Sequence, residues 1–165
     1  MKKHFILNGK QGAGKDAFKS AMQKYAKVYS ISTVDVPKSV AKSLGWNGEK
    51  TDKNRNMLSD FKDWWSKYFD GSYNYVKREL EKFMESSDEI FTVDSREPEE
   101  IQRLVNDFGF ETILVERHSV THTASNHADM NVYGYHNYDY TIYNDGSLED
   151  LDVLAKAFVD SICKE

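Results

Sequence analysis

Apolar residues along this chain fall into short contiguous runs and longer stretches with helical spacing, and the two kinds alternate. Phe5-Ile6-Leu7 is a short run leading straight into a glycine-rich loop, and a helical stretch follows from about Lys15 to Lys27. Val28-Tyr29-Ser30-Ile31-Ser32 alternates as a strand does. Between Pro37 and Ser86 the spacing predicts two or three helices, broken near Gly45-Trp46-Asn47-Gly48 and near Asp70-Gly71. Glu89-Ile90-Phe91-Thr92-Val93-Asp94 is again strand-like, with a carboxylate at its end. Pro98, flanked by Glu97, Glu99 and Glu100, marks a helix start, and Gly109 closes that helix. Thr112-Ile113-Leu114-Val115 has the continuous apolar character of a strand buried on both faces. From about Arg117 to Asn137 no period holds, and the segment reads as a long functional loop or lid. Asp139-Tyr140-Thr141-Ile142-Tyr143 predicts a last strand, Asn144-Asp145-Gly146 a turn, and Ser147 the cap of a final amphipathic helix.

Five strands separated by helices predict an α/β fold built on a doubly wound parallel sheet. Right-handed crossovers then place a ligand beyond the carboxyl ends of the strands. The length, 165 residues, fits a single domain spanning 1–165. No apolar run is long enough to cross a bilayer, and the opening residues are too short for a secretory signal. With Cys163 as its single cysteine, the chain has no internal disulfide and no cysteine-built zinc site, so a cytoplasmic location is expected. A net charge of −5 fits a small discrete substrate better than polymeric nucleic acid, whose phosphates attract basic proteins. No membrane association is expected; a homodimer is compatible with the chain, although no surface stripe announces one.

Gly9-Lys10-Gln11-Gly12-Ala13-Gly14-Lys15 is the core of a Walker A motif, placed between a strand and a helix as that motif requires. Glycines let the backbone curl so that successive amides point at phosphate oxygens, and the helix that follows adds free N–H groups and the positive end of its dipole. Lys15 supplies a compact cation for the β and γ phosphates. Asp16 stands where the motif has Ser or Thr; a carboxylate there serves a metal directly or through water. Asp94, at a strand end, and Arg96, two residues on, form a second feature. The carboxylate suits a metal or a proton acceptor, and the guanidinium a phosphate. The plainer reading of that pair is a surface ion pair or a helix cap. Convergence with the glycine loop on one cleft favours the chemical one.

Together these segments resemble the deoxynucleoside monophosphate kinases of bacteriophages within the P-loop kinase superfamily. The residues that carry the resemblance are Gly9 to Lys15 followed by Asp16, the Asp94-x-Arg96-x-Pro98-x-Glu100 block, and Tyr138-Asp139-Tyr140-Thr141-Ile142-Tyr143-Asn144-Asp145-Gly146-Ser147-Leu148. The Gly-Lys-Asp variant is a feature of that family, shared with animal phosphomevalonate kinases. The stretch from Lys42 to Lys62 looks like phage kinase-like proteins. The resemblance implies a three-layer P-loop kinase fold with strand order 2-3-1-4-5, ATP as donor and a nucleoside 5′-monophosphate as acceptor. It implies an acceptor-binding helical region at about 36–86 and a lid at about 117–137. Gly9, Gly12, Ala13, Gly14, Lys15 and Asp16 would then hold ATP, with Asp16 and Asp94 placing Mg2+. Lys15, Asp94, Arg96 and Arg117 would be the catalytic set, with Arg117 closing over the transferring group.

On the acceptor side Lys38, Arg55 and Lys62 are candidate cations; each is also readable as a solvated helix residue. Arg55, with Arg96, is the preferred phosphate contact, and Lys38 a further one. Trp46, flanked by glycines, is a candidate to stack a base. Trp64, Trp65 and Tyr68 sit at helical spacing and are expected in the core. His118, His122, His127 and His136 form no firm ligand pattern, and lids of this superfamily usually carry more arginine than the single Arg117 here. Asn144 and Asp145 fit either backbone passing over an adenine ring or a simple turn. Two rival functions stay open: a kinase acting on a modified DNA base or a small alcohol, and a nucleotide-binding module without catalysis.

Overall fold

Phe5, Ile6 and Leu7 are all fully buried, in the middle of strand β1 (Lys3–Asn8). Burial on both faces follows from where the strand lies. The computed structural model, which describes residues 2–120 and 131–163, places β1 in the centre of a five-stranded sheet with β2 (Val28–Ser32), β3 (Ile90–Asp94), β4 (Glu111–Glu116) and β5 (Tyr140–Tyr143). Every pairing is parallel, and the order is β2-β3-β1-β4-β5, as the family resemblance implied. In register, Leu7 lies opposite Asp94 and Asn8 opposite Leu114, so the strands end side by side along one edge.

The helices are α1 (Lys15–Met22), α2 (Asp35–Ser43), α3 (Asp52–Phe69), α4 (Gly71–Glu85), α5 (Pro98–Phe108) and α6 (Leu148–Cys163). Side chains alternate across the sheet and build two cores. Phe5, Leu7, Ile113 and Val115 meet Phe18 and Met22 of α1 and Leu151, Phe158 and Ile162 of α6. Ile6, Phe91 and Val93 meet Val76 and Phe83 of α4 and Ile101 and Leu104 of α5. Each large side chain buried in this way is worth about 1.5–3 kcal/mol. Helices α2 and α3 extend beyond the carboxyl edge of the sheet and form one wall of a cleft there.

Element ends follow local rules. Pro98 opens α5, and Gly109 ends it with φ +68°. Ser147 caps α6 reciprocally: its Oγ accepts from Asp150 N at 3.1 Å, while Asp150 Oδ2 accepts from Ser147 N at 2.8 Å. Helix α1 stops at Met22, short of the expected Lys27. Beyond it the bonds tighten to i→i−3, as in Tyr25 N to Met22 O at 2.9 Å, and the Tyr25 hydroxyl donates to Asp152 Oδ2 of α6 at 2.6 Å. The expectation that Trp64 and Tyr68 lie in the core is not met. They are 50% and 63% exposed and share an outer patch of α3 with Phe61 and Phe69, because α3 uses Leu58, Ser59 and Lys62 as its inward face. Among the described residues no helix is long and apolar enough to cross a membrane.

Candidate active site

The glycine loop is shaped by its neighbours. Gly9 has φ +152°, and a Cβ there would lie 2.4 Å from the Val115 carbonyl oxygen, so only glycine allows the chain to leave β1 past β4. Gly14 has φ +97° and would bring a Cβ within 2.2 Å of Asn144 Nδ2. Two buried asparagines hold the loop. Asn8 Oδ1 accepts from Gly9 N at 2.8 Å, and its Nδ2 donates to the Tyr138 hydroxyl at 2.6 Å. Asn144 Nδ2 donates to Ala13 O at 2.9 Å, and Asn144 N donates to Glu116 O at 2.7 Å. Asn144 is therefore a brace for the loop, with its side chain committed to Ala13, a role that neither the adenine-ring reading nor the simple-turn reading of its position included. Helix α1 begins at Lys15, so its first amides face the loop's hollow, the arrangement that receives phosphate.

Lys15 Nζ donates to Gly9 O at 2.7 Å and Lys10 O at 3.4 Å, which folds it over the loop. Burial, with the nearby Arg96 guanidinium adding to it, lowers its pKa to about 8. A triphosphate needs the ammonium form, and free protein loses that form as pH rises through 8. On the reading of the loop as a triphosphate site, ATP affinity is expected to be near its maximum at pH 7 and about tenfold weaker at pH 9, with proton uptake on binding. Calorimetric titration in two buffers of different ionisation enthalpy measures both; affinity that stays flat to pH 9 removes Lys15 as the titrating contact.

Beside Lys15 the structure assembles a group that composition did not reveal. Lys19 Nζ lies 2.5 Å from Asp94 Oδ2 and 2.9 Å from Asp16 Oδ1. Burial pulls the Lys19 pKa down, but the Asp94 and Asp16 carboxylates together outweigh it and the net direction is up. Hydrogen bonding to Lys19 holds Asp16 below the usual carboxylate range. Burial pushes Asp94 up in spite of Lys19, and its Oδ1 is buried with no hydrogen-bond partner among the described residues. Lys19 was absent from the sequence candidates. Its spacing, three residues beyond Asp16 and four beyond Lys15, was the available signal, since such residues share a helix face.

A cleft of about 490 Å³ runs from this cluster to the α2–α3 wall, lined by Lys15, Asp16, Lys38, Trp46, Arg55, Lys62, Asp94 and Arg96. Every acceptor-side candidate is thus in one place. Arg55 reaches Asp52 at 3.6 Å and is close enough to Arg96 to depress its pKa, after the larger effect of burial. Lys62 is no solvated residue: its side chain is 9% exposed and its Nζ lies 3.1 Å from Glu100 Oε2, whose other oxygen accepts from the Ser95 hydroxyl. That network ties α3 to the β3–α5 junction. Trp46, its Nε1 bonded to Glu49 O at 3.2 Å, separates the cleft from a second cavity of about 450 Å³ walled by Val40, Leu44, Met57 and Phe61.

Arg117 is not brought to the cleft. It is exposed beyond β4 and its Nε donates to Ser119 Oγ at 3.3 Å. His118 lies beside it, bonded to Asp145 Oδ2 at 2.6 Å and stacked on Tyr143, and His136 is exposed. His122 and His127, with 121–130 of the expected lid, lie outside the described residues. Among the described residues no group of three His, Cys, Asp or Glu gathers as a metal cage. The carboxylates of Asp16, Glu49, Asp94 and Glu97 line the cleft, and of these Asp16 and Asp94 both contact Lys19 beside the glycine loop.

Sequence searches of protein-family models and of curated proteins found no match. Solved structures do match. A candidate kinase from Chloroflexus aurantiacus aligns with a TM-score of 0.54 at 10% identity, covering 97% of this chain and 97% of that one. A gluconokinase from Sinorhizobium meliloti aligns with a TM-score of 0.52 at 12% identity, covering 98% and 94%. The fold is that of the P-loop kinases. At these identities the likeness concerns the fold alone, and the P-loop kinase fold accounts for why the glycine loop, Asp94 and the α2–α3 wall converge at the carboxyl edge of the sheet.

Proposed function

We propose that the protein transfers the γ-phosphoryl group of ATP to the phosphate of a nucleoside or deoxynucleoside 5′-monophosphate. An acceptor phosphate oxygen attacks the γ phosphorus, the bond from that phosphorus to the β–γ bridging oxygen breaks, and the diphosphate and ADP leave. The observation that carries this reading is that Lys15 on the glycine loop shares one cleft with Arg96, which lies near it, and with Arg55 and Lys38 of the α2–α3 wall. A second cluster of cations suits an acceptor that is itself an anion. The largely apolar cavity beside Trp46 offers a hydrophobic place for a base.

Loop amides and Lys15 hold the donor, and Arg96 with Arg55 holds the acceptor phosphate in line with it. A phosphate oxygen is already a nucleophile at neutral pH, so Asp94 has no proton to remove. The donor set fits Mg2+: two carboxylates at the phosphate end of the cleft, one with a buried oxygen that has no hydrogen-bond partner among the described residues, in keeping with an ion that takes few protein carboxylates and completes its shell with phosphate and water. Asp16 and Asp94 would hold it, and when bound it offsets charge on the phosphate oxygens.

A second reading has one observation of its own. The upward push of burial on Asp94 suits a base, which an alcohol acceptor would require, and the fold neighbour named a gluconokinase has a non-nucleotide acceptor in its name. ADP release from Mg-ATP against ribo- and deoxynucleoside monophosphates, modified pyrimidines among them, alongside sugar acids and polyols, separates the two. Stimulation by one or a few monophosphates is expected. Stimulation by an alcohol alone replaces the acceptor assignment, and a flat panel with ATP binding intact points to a binding module.

A further inference from the structure

The ammonium of Lys19 lies between two carboxylates that belong to different elements, Asp16 on α1 and Asp94 at the end of β3. Both distances are below 3 Å, at 2.5 and 2.9 Å, and the Lys19 side chain is only 12% exposed. A lysine is rarely buried to this degree without paired charge. Here the counter-charge is the same pair of carboxylates that would hold a divalent cation. Asp94 is fixed by the sheet, while the Asp16 side chain is 89% exposed and held on the cleft side by Lys19. The position between them is thus filled by a cation that the chain itself supplies, and Asp94 Oδ1 remains as the buried oxygen that Lys19 does not reach.

We propose that Lys19 is the resident counter-cation of the metal position, excluding a divalent ion from Asp16 and Asp94 until the phosphates of ATP arrive. This rests on reading Asp16 and Asp94 as the metal-holding carboxylates and is independent of the acceptor. Without nucleotide, a divalent ion must break both Lys19 contacts and leave a buried ammonium with no anion. With nucleotide, the ammonium exchanges the carboxylates for phosphate oxygens at the same end of the cleft, one helical turn from Lys15. Metal binding and triphosphate binding become coupled through one side chain, and the coupling is reciprocal.

The test is Mn2+ binding, read as loss of the free-ion electron spin resonance signal, with the whole chain and no nucleotide. Lys19→Met is expected to bind one Mn2+ at least tenfold more tightly than the parent protein, and adding Asp16→Asn or Asp94→Asn removes the gain. With a non-hydrolysable ATP analogue present, the difference between parent and variant narrows. Unchanged or weaker Mn2+ binding in folded Lys19→Met overturns the proposal. A gain that survives both carboxylate changes overturns it together with the metal assignment. No gain, while Mn2+ uptake with the analogue still requires Asp94, overturns the role of Lys19 alone. Should Lys19→Met fail to fold by circular dichroism, Lys19→Gln keeps a hydrogen-bond donor for Asp94 without the charge and is read in the same way.

Discussion

Lys15→Ala is expected to lower turnover by roughly a thousandfold while leaving the melting temperature unchanged or raised. The two halves of that expectation have separate causes. Turnover falls because phosphoryl transfer depends on positioned charge, and Lys15 is the cation seated over the loop, with its Nζ 2.7 Å from Gly9 O. Stability holds because the glycine loop is carried by Asn8 and Asn144, not by the lysine. The lysine is itself a cost to folding. Its pKa falls from 10.5 to about 8, so at neutral pH the folded protein holds the charged form against a penalty of about 3 kcal/mol. By sign, this penalty is complete below pH 8, shrinks between 8 and 10.5, and is absent above. Removing the side chain relieves it. Steady-state ADP release and a thermal melt at pH 7 check both halves; near-normal turnover in Lys15→Ala would sink the kinase assignment.

Arg96→Ala is expected to lower acceptor kcat/KM by a few hundredfold, with the affinity for ATP within about twofold of the parent. A bidentate contact to a phosphate joins two charge-assisted hydrogen bonds of about 1.5–3 kcal/mol each, which sets this scale. Arg96 is the best placed group for it: burial depresses its pKa against the opposing pull of Asp94, with Arg55 adding to the depression, so an arriving dianion compensates a guanidinium held in the cleft at a desolvation cost. Arg96→Lys is expected to recover little, because an ammonium cannot present the planar fork. Saturation kinetics in both substrates provides the measurement. A loss confined to ATP would place Arg96 on the donor side instead, and no loss at all would fit an uncharged acceptor.

What could be read in the sequence was what local spacing encodes. Gly9 to Lys15, the strand ends at Asp94 and Tyr143, the helix stop at Gly109 and the cap at Ser147 each depend on a few neighbouring residues with distinctive backbone or hydrogen-bonding chemistry. Strand order does not, and it came with the family resemblance. Long-range pairs were the parts that escaped. Lys19 looks like any lysine on an amphipathic helix until β3 brings Asp94 to it from 75 residues away. Lys62 reads as solvated because nothing near it in the chain announces Glu100. Asn144 sits in a turn-forming triplet, and its burial follows only from β5 lying beside β4. The exposed Trp64 and Tyr68 failed for the converse reason: α3 packs through its polar Ser59 and Lys62, leaving an aromatic face outward.

The central place of β1 has a consequence for how the glycine loop takes shape during synthesis. Its neighbours in the sheet are β3 and β4, and the loop that follows it waits further for Asn144. The glycine loop thus leaves the ribosome early and acquires its shape late, on the order of ten seconds later at ordinary translation rates. Until β3 and β4 emerge Phe5, Ile6 and Leu7 lack their strand partners, and a nascent chain stalled before β4 carries every glycine of the motif without the brace that shapes the loop.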